Sequence, residues 1–213
     1  LRRQRQMCIR DRDKMYYMFN KPKGCITART DEKHKTVMDY FPEDMRHILH
    51  PVGRLDKDTE GFLIITNDGI FNQRLMHPEF HVPKTYYFHA LGILDDEKIR
   101  KLQSGVELIG EKDLFKAESI EVDGTGNIKE ISNLIAGTKF EKAARNPRNG
   151  QTISGKITIT EGKKHQVKRM LKAVGCYVVY LKRTQIGEVS IDENLKTGEY
   201  REFTEEEIHL LNK

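Results

Sequence analysis

The sequence predicts an α+β fold, because strand patterns and helix patterns alternate along the chain. Residues 62–66 form a β-branched apolar run with polar flanks, which is typical of a buried strand. Residues 165–174 carry apolar side chains at helical spacing and stop at Gly175, a residue type that commonly ends helices. With 213 residues, of which 37% are hydrophobic, the chain can bury one substantial core or two small cores packed together. We therefore expect one compact unit.

In the first half of the chain, the aromatic run at 15–19 predicts a strand that ends in a turn at 20–24. This would place Lys21 and Lys23 on a loop. The remaining elements of this half follow from residue spacing, and they are helices at 36–40, 70–76 and 95–102 and a strand at Lys84–Leu91.

In the second half, strands are predicted at 157–160 and 177–181. The Thr-Glu-Glu-Glu start at residue 204 predicts a closing helix that runs to residue 211. Between residues 118 and 150 the periodicity weakens, and we interpret the polar, basic stretch 139–150 as a mobile surface loop.

The composition restricts the class of protein. No apolar run approaches the roughly 18 residues that a membrane-spanning helix needs, and the N-terminus lacks the apolar segment of a secretory signal. Cys8, Cys25 and Cys176 are odd in number and widely spaced, which fits neither a disulfide framework nor a structural zinc site. We expect a protein of the reducing cytoplasm with no membrane partner.

The positive charge is concentrated at the N-terminus. Residues 1–12 hold five arginines and one aspartate, so this segment contributes +4 of the formal net charge of +5. This segment has neither helical nor strand periodicity, so we interpret residues 1–14 as an extraneous or disordered basic leader and residues 15–213 as the folded domain. A basic arm that grips phosphates is the alternative. Nucleic-acid binding therefore has to be argued from local patches of charge.

One such patch lies on the helix predicted at 165–174. At about 100° per residue, one helix face is apolar and holds Val167, Met170, Leu171 and Val174. The opposite face holds His165, Lys168, Arg169 and Lys172, and Lys163 and Lys164 precede it. Such a face suits contact with a phosphodiester backbone. A solvated cationic surface is the plainer interpretation, which charge alone favours.

Residues 56–61, Asp-Lys-Asp-Thr-Glu-Gly, place three carboxylates just before the buried strand. A calcium loop of the EF-hand type is excluded, because its twelfth position would be Asn67 instead of glutamate. A magnesium site for phosphoryl chemistry stays open as a minor alternative, although Arg54 and Lys57 would compete for the carboxylates. Taken alone, the segment would be interpreted as a polar turn without a chemical role.

Four motifs connect this segment to a known family. Gly-Arg-Leu-Asp-Lys-Asp-Thr-Glu-Gly at 53–61, followed by Thr-Asn-Asp-Gly at 66–69, resembles the signature of bacterial ribosomal-RNA pseudouridine synthases of the small-subunit synthase A group. Asn-Lys-Pro-Lys-Gly at 20–24, Lys-Thr-Tyr at 84–86 and the segment 161–170 resemble its N-terminal, tyrosine and C-terminal motifs. The resemblance covers residues 15–187, and four motifs in one order are not expected by chance.

The resemblance implies a mixed, mostly antiparallel sheet with a central cleft and flanking helices, the pseudouridine synthase fold. It also implies a reaction that breaks the bond from ribose to N1 of a uridine, rotates the base and rejoins it through C5. Asp56 matches the catalytic aspartate, Lys168 its basic partner and Tyr86 the tyrosine that stacks on the target base. A buried carboxylate needs a nearby cation to stay ionised, which is the role implied for Lys168.

Further roles follow from the same resemblance. Tyr86 offers an aromatic face to a base taken out of its stack, whereas Tyr87 is expected in the core. Arg54 would fill the space left by that base or hold a phosphate. The residues expected to contact RNA are Arg54, Lys21, Lys163, Lys164, His165, Gln166 and Arg169. We expect no metal, no cofactor, and a monomer whose partner is ribosomal RNA or a ribosomal-subunit precursor.

Two alternatives remain at this stage. One is a non-catalytic RNA-binding or ribosome-assembly factor on the same scaffold, and the other is a metal-dependent nuclease built on the carboxylates near Asp56. Members of the family commonly carry an N-terminal S4-type domain, and no such pattern precedes Met15. We expect either a form without that domain or a chain truncated behind a foreign leader. Lys163 and Lys168 stand where many relatives have arginine, which leaves the RNA target less determined than the reaction.

Overall fold

The computed structural model describes residues 14–144 and 150–212. Its strands are β1 (Tyr16–Lys21), β2 (His50–Val52), β3 (Glu60–Thr66), β4 (Lys84–Leu91), β5 (Val106–Glu107), β6 (Leu114–Phe115), β7 (Ser119–Asn127), β8 (Gln151–Ile159), β9 (Tyr177–Ile186), β10 (Val189–Ser190) and β11 (Tyr200–Glu202). Its α-helices are α1 (Glu43–Arg46), α2 (Gly69–Met76), α3 (Asp96–Ser104), α4 (Ser132–Ile135), α5 (Glu141–Ala144), α6 (Gln166–Ala173) and α7 (Glu205–Leu211). Short 3-10 helices cover Val37–Tyr40 and Pro78–Phe80.

The sheet is mixed and mostly antiparallel, as predicted. Its main path runs β11-β1-β3-β9-β4-β8-β7, with β2 paired to β3 and β10 to β9, while β5 and β6 form a separate hairpin. Among the strand pairs that the structure describes, β3 and β9 form the single parallel one, where Glu60 is opposite Lys182 and Gly61 opposite Arg183. This parallel junction joins the half of the sheet that holds β1, β2, β3 and β11, called the N-terminal half after β1, to the half that holds β4, β7, β8, β9 and β10, called the C-terminal half.

Close approach of the backbones at the junction explains one glycine of the sequence motifs. Gly61 has φ +99° and faces Arg183 so closely that a Cβ would collide with the Arg183 carbonyl oxygen. Glycine adopts positive φ without the steric cost that other residues incur. Gly61 therefore allows β3 and β9 to meet, and this contact positions the loop that precedes β3.

Helices cover both faces of the sheet. In the largest buried cluster, Leu102 of α3 and Met170 of α6 pack with Phe88 and Ile157 of the C-terminal half. A second cluster joins α2 and α7 to β1 and β3. A third one packs the segment 128–140 against β9, through Val179 and Tyr180. The predicted amphipathic pattern of the helix near 165 is confirmed, because its apolar face is the buried one.

The predicted boundaries differ from the structure mainly between 118 and 150. This region holds β7, which is nine residues long, and the helices α4 and α5. β7 is the last strand on the sheet path and most of its side chains are exposed, so it lacks the alternation of a half-buried strand. The interpretation of 139–150 as a loop is wrong for Glu141–Ala144, which are helical, and residues 145–149 lie outside the described part. The predicted leader also falls almost wholly outside it.

Asp68 lies between β3 and α2, and its side chain makes four polar contacts. Its carboxylate accepts hydrogen bonds from the backbone amides of Ile70 at 3.0 Å and Phe71 at 3.2 Å, and from the Tyr16 hydroxyl at 2.7 Å. It also pairs with Lys14 at 2.9 Å. Burial alone would raise the pKa of Asp68, but the hydrogen bonds from Lys14, Tyr16 and Phe71 outweigh it and lower the pKa to about 2.

We predict that Asp68→Ala lowers the free energy of unfolding by roughly 1–3 kcal/mol, because it removes a helix cap and leaves the Tyr16 hydroxyl unpaired. The folded-state pKa lies below the ordinary 3.8, so this stabilisation is complete above about pH 4 and is lost as the pH falls towards 2. Urea denaturation from pH 6 to pH 2 measures it. The difference in free energy of unfolding between wild type and Asp68→Ala must narrow as the pH falls. A constant difference would contradict a stabilising role of the ionised Asp68 carboxylate.

Candidate active site

A cavity of about 580 Å³ opens at the parallel junction. The loop before β3, strands β4 and β9, and the start of α6 each contribute to its lining. Four segments distant in the sequence therefore meet at the one place where the sheet halves join. The predicted site residues Asp56 and Tyr86 both line this cavity. Lys168 reaches Asp56 from the other side of the loop, where it lines an adjoining cavity.

The loop that carries Asp56 is held by its own backbone. Lys21 donates from Nζ to the carbonyl oxygens of Asp56 at 3.1 Å, Thr59 at 2.9 Å and Pro22 at 3.0 Å. From the other side, the Thr27 hydroxyl donates to the Leu55 carbonyl at 2.8 Å. Because these contacts use main-chain atoms, the loop is fixed independently of the Asp56 carboxylate.

The prediction that Lys21 lies on a loop is wrong, and its burial gives no support to the predicted contact with RNA. Lys21 is the last residue of β1 and is 0% exposed. Its ammonium is enclosed by the carbonyl groups of the Asp56 loop, and burial lowers its pKa, with Cys25, Asp58, Asp56 and Glu60 acting in the opposite direction. A cation buried in this way costs free energy unless hydrogen bonds satisfy it, and the three carbonyls do so. The side chain supports the loop from beneath.

Asp56 lies between two basic side chains. Lys168 Nζ is 2.9 Å from one carboxylate oxygen, and His165 Nε2 is 3.4 Å from the other. The Asp56 and Lys168 side chains are 25% and 23% exposed, so the pair is partly shielded from water. A partly buried ion pair is stronger than a surface pair, and contacts from Lys168 and His165 to opposite oxygens restrict the rotation of the carboxylate. The Asp56 carboxylate is thus held in one orientation at the cavity wall.

Lys168 also contacts Asp58, at 2.5 Å from Nζ. Burial raises the pKa of Asp58, but the hydrogen bond and charge of Lys168 outweigh burial, so that the pKa is lowered overall. The Lys168 ammonium occupies the space between the two carboxylates in which a divalent ion would have to bind. Within the described residues, no three His, Cys, Asp or Glu side chains are grouped as a metal site requires. The geometry thus gives no support to the magnesium alternative.

Tyr86 and two buried cations form the cavity floor. Tyr86 on β4 is 8% exposed, and its hydroxyl is 3.5 Å from Nη1 of Arg183 on β9. Arg183 donates from Nε to the Phe62 carbonyl at 2.7 Å, and its Nη2 has no hydrogen-bond partner among the described residues. Lys84 lies beside them, 7% exposed, and burial together with the charge of Arg183 lowers its pKa to about 8. This floor offers an aromatic surface and hydrogen-bond donors for oxygen atoms.

The turn before α6 is closed by Gln166, which is predicted to contact RNA. Gln166 is 3% exposed, accepts from the Lys163 amide at 3.0 Å and donates to Glu161 at 2.8 Å. The side-chain amide is used within the turn, so the structure gives no support to its predicted contact with RNA. The helix begins at Gln166, with His165 as its N-cap at φ 54°. This backbone conformation directs His165 towards Asp56, whereas Lys163 and Lys164 line the cavities.

Arg169 contacts the loop of the β5–β6 hairpin. Its guanidinium donates to the Ile109 carbonyl at 2.5 Å and to Glu111 at 3.2 Å, and Glu111 also pairs with Lys163 at 3.5 Å. Arg169 is not among the described residues that line the two cavities, so the structure does not support its predicted contact with RNA. Arg54, by contrast, is exposed and lines both cavities.

Comparisons with known proteins identify the family of the chain. The family model described as RNA pseudouridylate synthase matches residues 15–173. The chain belongs to the RNA pseudouridylate synthase family. The uncharacterized RNA pseudouridine synthase YtzG of Bacillus subtilis is 45% identical over 202 residues, which cover 94% of this chain and 74% of that protein.

Two further relatives agree with this assignment. The ribosomal small subunit pseudouridine synthase A of Escherichia coli is 37% identical over 193 residues, covering 91% of this chain and 72% of that protein. A crystal structure of a pseudouridylate synthase is 32% identical, with a TM-score of 0.77 over 95% of this chain and 75% of that one. The predicted enzyme class, an isomerase that acts on RNA, and the predicted fold are confirmed.

No helix in the described part of the chain is long and apolar enough to cross a membrane.

Thr27, Lys84 and Arg183 line the cavity and support the site, but the sequence assigned them no role. No sequence pattern around Thr27 indicates its role, because its two hydrogen bonds to Leu55 depend on the tertiary structure. Lys84 lies within the tyrosine motif, but its burial beside Arg183 is visible only once β4 and β9 pair. Arg183 lies beyond the predicted end of its strand at 181. The strand in fact continues to Ile186, and the adjacent charged residues Lys182 and Arg183 directly after the apolar run were the available signal.

We predict an alkaline limb near pH 8 in kcat/KM, because Lys84 loses its proton as the pH rises through its lowered pKa of about 8. Lys84→Arg should move this limb upwards, since arginine stays charged. Lys84→Met should lower kcat/KM below about pH 8 and remove the limb, and it should keep or raise Tm because a buried charge is removed. Exposed Lys156→Met on β8 is the control. Initial rates from pH 6 to pH 10 test this, and an unchanged limb in Lys84→Met would assign it to another group.

Proposed function

We propose that this synthase converts a specific uridine of ribosomal RNA into pseudouridine, with Asp56 starting the reaction. The single observation that carries the catalytic assignment is the Asp56 carboxylate, paired with Lys168 at 2.9 Å beside a cavity floored by Tyr86. The choice of ribosomal RNA, and of the small subunit as the first target to test, is supported by the names of relatives that are 34–37% identical.

In the proposed reaction, Asp56 acts as nucleophile or base and the bond from ribose to N1 breaks. The uracil then rotates within the cavity, the new bond joins ribose to C5, and C5 loses its proton while N1 gains one. The reaction is an isomerisation, so it consumes no co-reactant. Lys168 and His165 contact opposite oxygens of the Asp56 carboxylate and fix its direction. A preoriented carboxylate avoids reorganisation during the reaction.

Tyr86 holds the base in this scheme. A uridine extruded from a stem or loop loses its stacking partners, and an aromatic side chain replaces part of that stacking. Its hydroxyl, 3.5 Å from Arg183, is available to assist loss of the C5 proton. Exposed Arg54 contacts the phosphate of the extruded nucleotide or fills its place in the RNA. Lys163, Lys164 and His165 are the basic residues of the C-terminal motif that we assign to RNA contact.

The proposal includes a monomer that works in the cytoplasm on rRNA or a subunit precursor. Asp56, Tyr86 and Lys168 all come from one chain, so the site requires no second copy. Light scattering of the purified protein, alone and with RNA, measures the mass. A mass of two chains without RNA would contradict the monomer.

Tritium release tests the function directly. The protein is incubated with a small-subunit rRNA transcript labelled with tritium at uridine C5, in the presence of a chelator, and release is followed for wild type with Asp56→Asn as the inactive control. Release by wild type alone supports the synthase on ribosomal RNA. Binding without release on any rRNA would favour a non-catalytic RNA-binding factor, and chelator-sensitive strand cutting would favour a nuclease.

A further inference from the structure

A second cavity, of about 730 Å³, lies beside the first and shares the Asp56 loop with it as a common wall. Residues 54–56 of that loop and residues 162, 163 and 165 line both cavities. A polymer strand that passes over Asp56 therefore enters the second cavity on leaving the first. Both volumes are in the range of about 300–1,000 Å³ that holds ligands of one or two ring systems.

Positive charge dominates this second cavity. Among the described residues, six lysines and arginines line it, together with Asp56 and Asp58. Both acids are already paired with Lys168, and Asp56 also with His165. Four cations keep no acidic partner within the described part of the chain, and they are Arg54, Lys57, Lys139 and Lys164. This group of exposed cations next to the reaction cavity is available to anionic groups of the substrate.

We propose that the second cavity binds the phosphate backbone of the RNA next to the target nucleotide, and that Lys139 is a phosphate contact supplied by the segment 128–144. This inference rests on the proposed function of the first cavity. Phosphodiester groups carry one charge per nucleotide and repeat along a strand, which fits several lysines spread over a groove. The segment then selects RNA by the shape of the strand that leaves the active site.

Lys139 lines the second cavity from a segment that packs against β9. Ile128, Ile131 and Ile135 are buried against Val179 and Tyr180 of β9. Partly buried Phe140, the neighbour of Lys139, packs against the same cluster. The side chain of Lys139 is exposed, with Nζ 5.0 Å from the centroid of the Phe140 ring, so its ammonium can meet a phosphate without desolvation of a buried charge.

A lysine of the N-terminal motif connects this segment to the active-site loop. Lys23 donates from Nζ to the Leu134 carbonyl at 2.9 Å, and the neighbouring Gly24 amide donates to the Lys57 carbonyl at 2.7 Å. The turn after β1 thus contacts both walls of the second cavity. This arrangement sets the spacing between Lys139 and the Asp56 loop.

The salt dependence of RNA binding tests the proposal. Lys139→Ala is compared with Lys129→Ala, which removes the same charge from an exposed position of the same segment outside the cavity lining. Each phosphate contact contributes about 0.7–0.9 to the slope of log K against log salt. We expect Lys139→Ala to reduce the slope by that amount, to raise KM roughly three- to tenfold and to leave kcat unchanged, with Lys139→Arg restoring the slope.

Binding is measured on the transcript used for tritium release, and the two readouts separate the two proposals. An unchanged slope and KM for Lys139→Ala, or equal losses for Lys129→Ala, would overturn the second cavity as a phosphate site while wild-type release still supports the synthase. If wild type binds the RNA but releases no tritium, the proposed function fails, and the slope still decides whether Lys139 contacts phosphate. A fall in kcat with an unchanged slope would assign Lys139 to loop positioning and overturn the proposal.

Discussion

Replacing Asp56 with asparagine is expected to lower kcat for tritium release by at least about 10³-fold while RNA binding stays within roughly threefold of wild type. Asparagine has nearly the same shape as aspartate but carries no charge, so it can neither attack nor accept a proton effectively. The loop should keep its conformation, because Lys21 and Thr27 hold it through main-chain carbonyls and not through the carboxylate. The expected loss is therefore chemical and not structural.

Asp58→Asn is the matched control for that variant. Asp58 contacts the same Lys168 ammonium, but its side chain is 52% exposed, whereas that of Asp56 is 25% exposed. It does not line the reaction cavity in the described part of the chain. Removing it should leave Lys168 paired with Asp56 alone and change kcat by less than about tenfold. Equal losses in the two variants, or an Asp56→Asn protein with more than about a tenth of wild-type kcat, would remove Asp56 from the initiating role.

The motif order predicted the chemistry better than it predicted the individual contacts. Asp56 and Lys168 are 112 residues apart in the chain, and their pairing was expected because both matched one family pattern. The amphipathic spacing of α6 predicted its buried face, since helical periodicity is a local property. These features depend on motifs or on short-range patterns, which a single sequence contains.

Other contacts depend on tertiary structure that no local pattern encodes. Lysine is almost never fully buried, so nothing in the sequence around Lys21 indicated three carbonyl partners. Arg169 looked like part of a basic face, but Glu111 and the Ile109 carbonyl reach it from a hairpin about 60 residues away in the chain. Basic residues in the C-terminal motif therefore divide into those that support the site and those free to meet RNA.

The parallel junction is the feature on which the whole site depends, and Gly61→Ala is expected to disrupt it. Alanine at φ +99° is strained by about 1–2 kcal/mol, and its Cβ would collide with the carbonyl oxygen of Arg183. To relieve the collision, β3 and β9 must separate, which weakens the hydrogen bond from Arg183 to the Phe62 carbonyl. We expect the free energy of unfolding to fall by about 3 kcal/mol or more.

Gly69→Ala provides the control, because an added Cβ there meets nothing within 4 Å and Gly69 lies in the first turn of α2. That substitution should be neutral or slightly stabilising, since alanine restricts the unfolded chain without strain in a helix. Thermal and urea denaturation of both variants measure the contrast. If Gly61→Ala were as stable as Gly69→Ala, the junction would tolerate separation. In that case the geometry that sets Asp56 against Tyr86 and Arg183 could not depend on the close approach of β3 and β9.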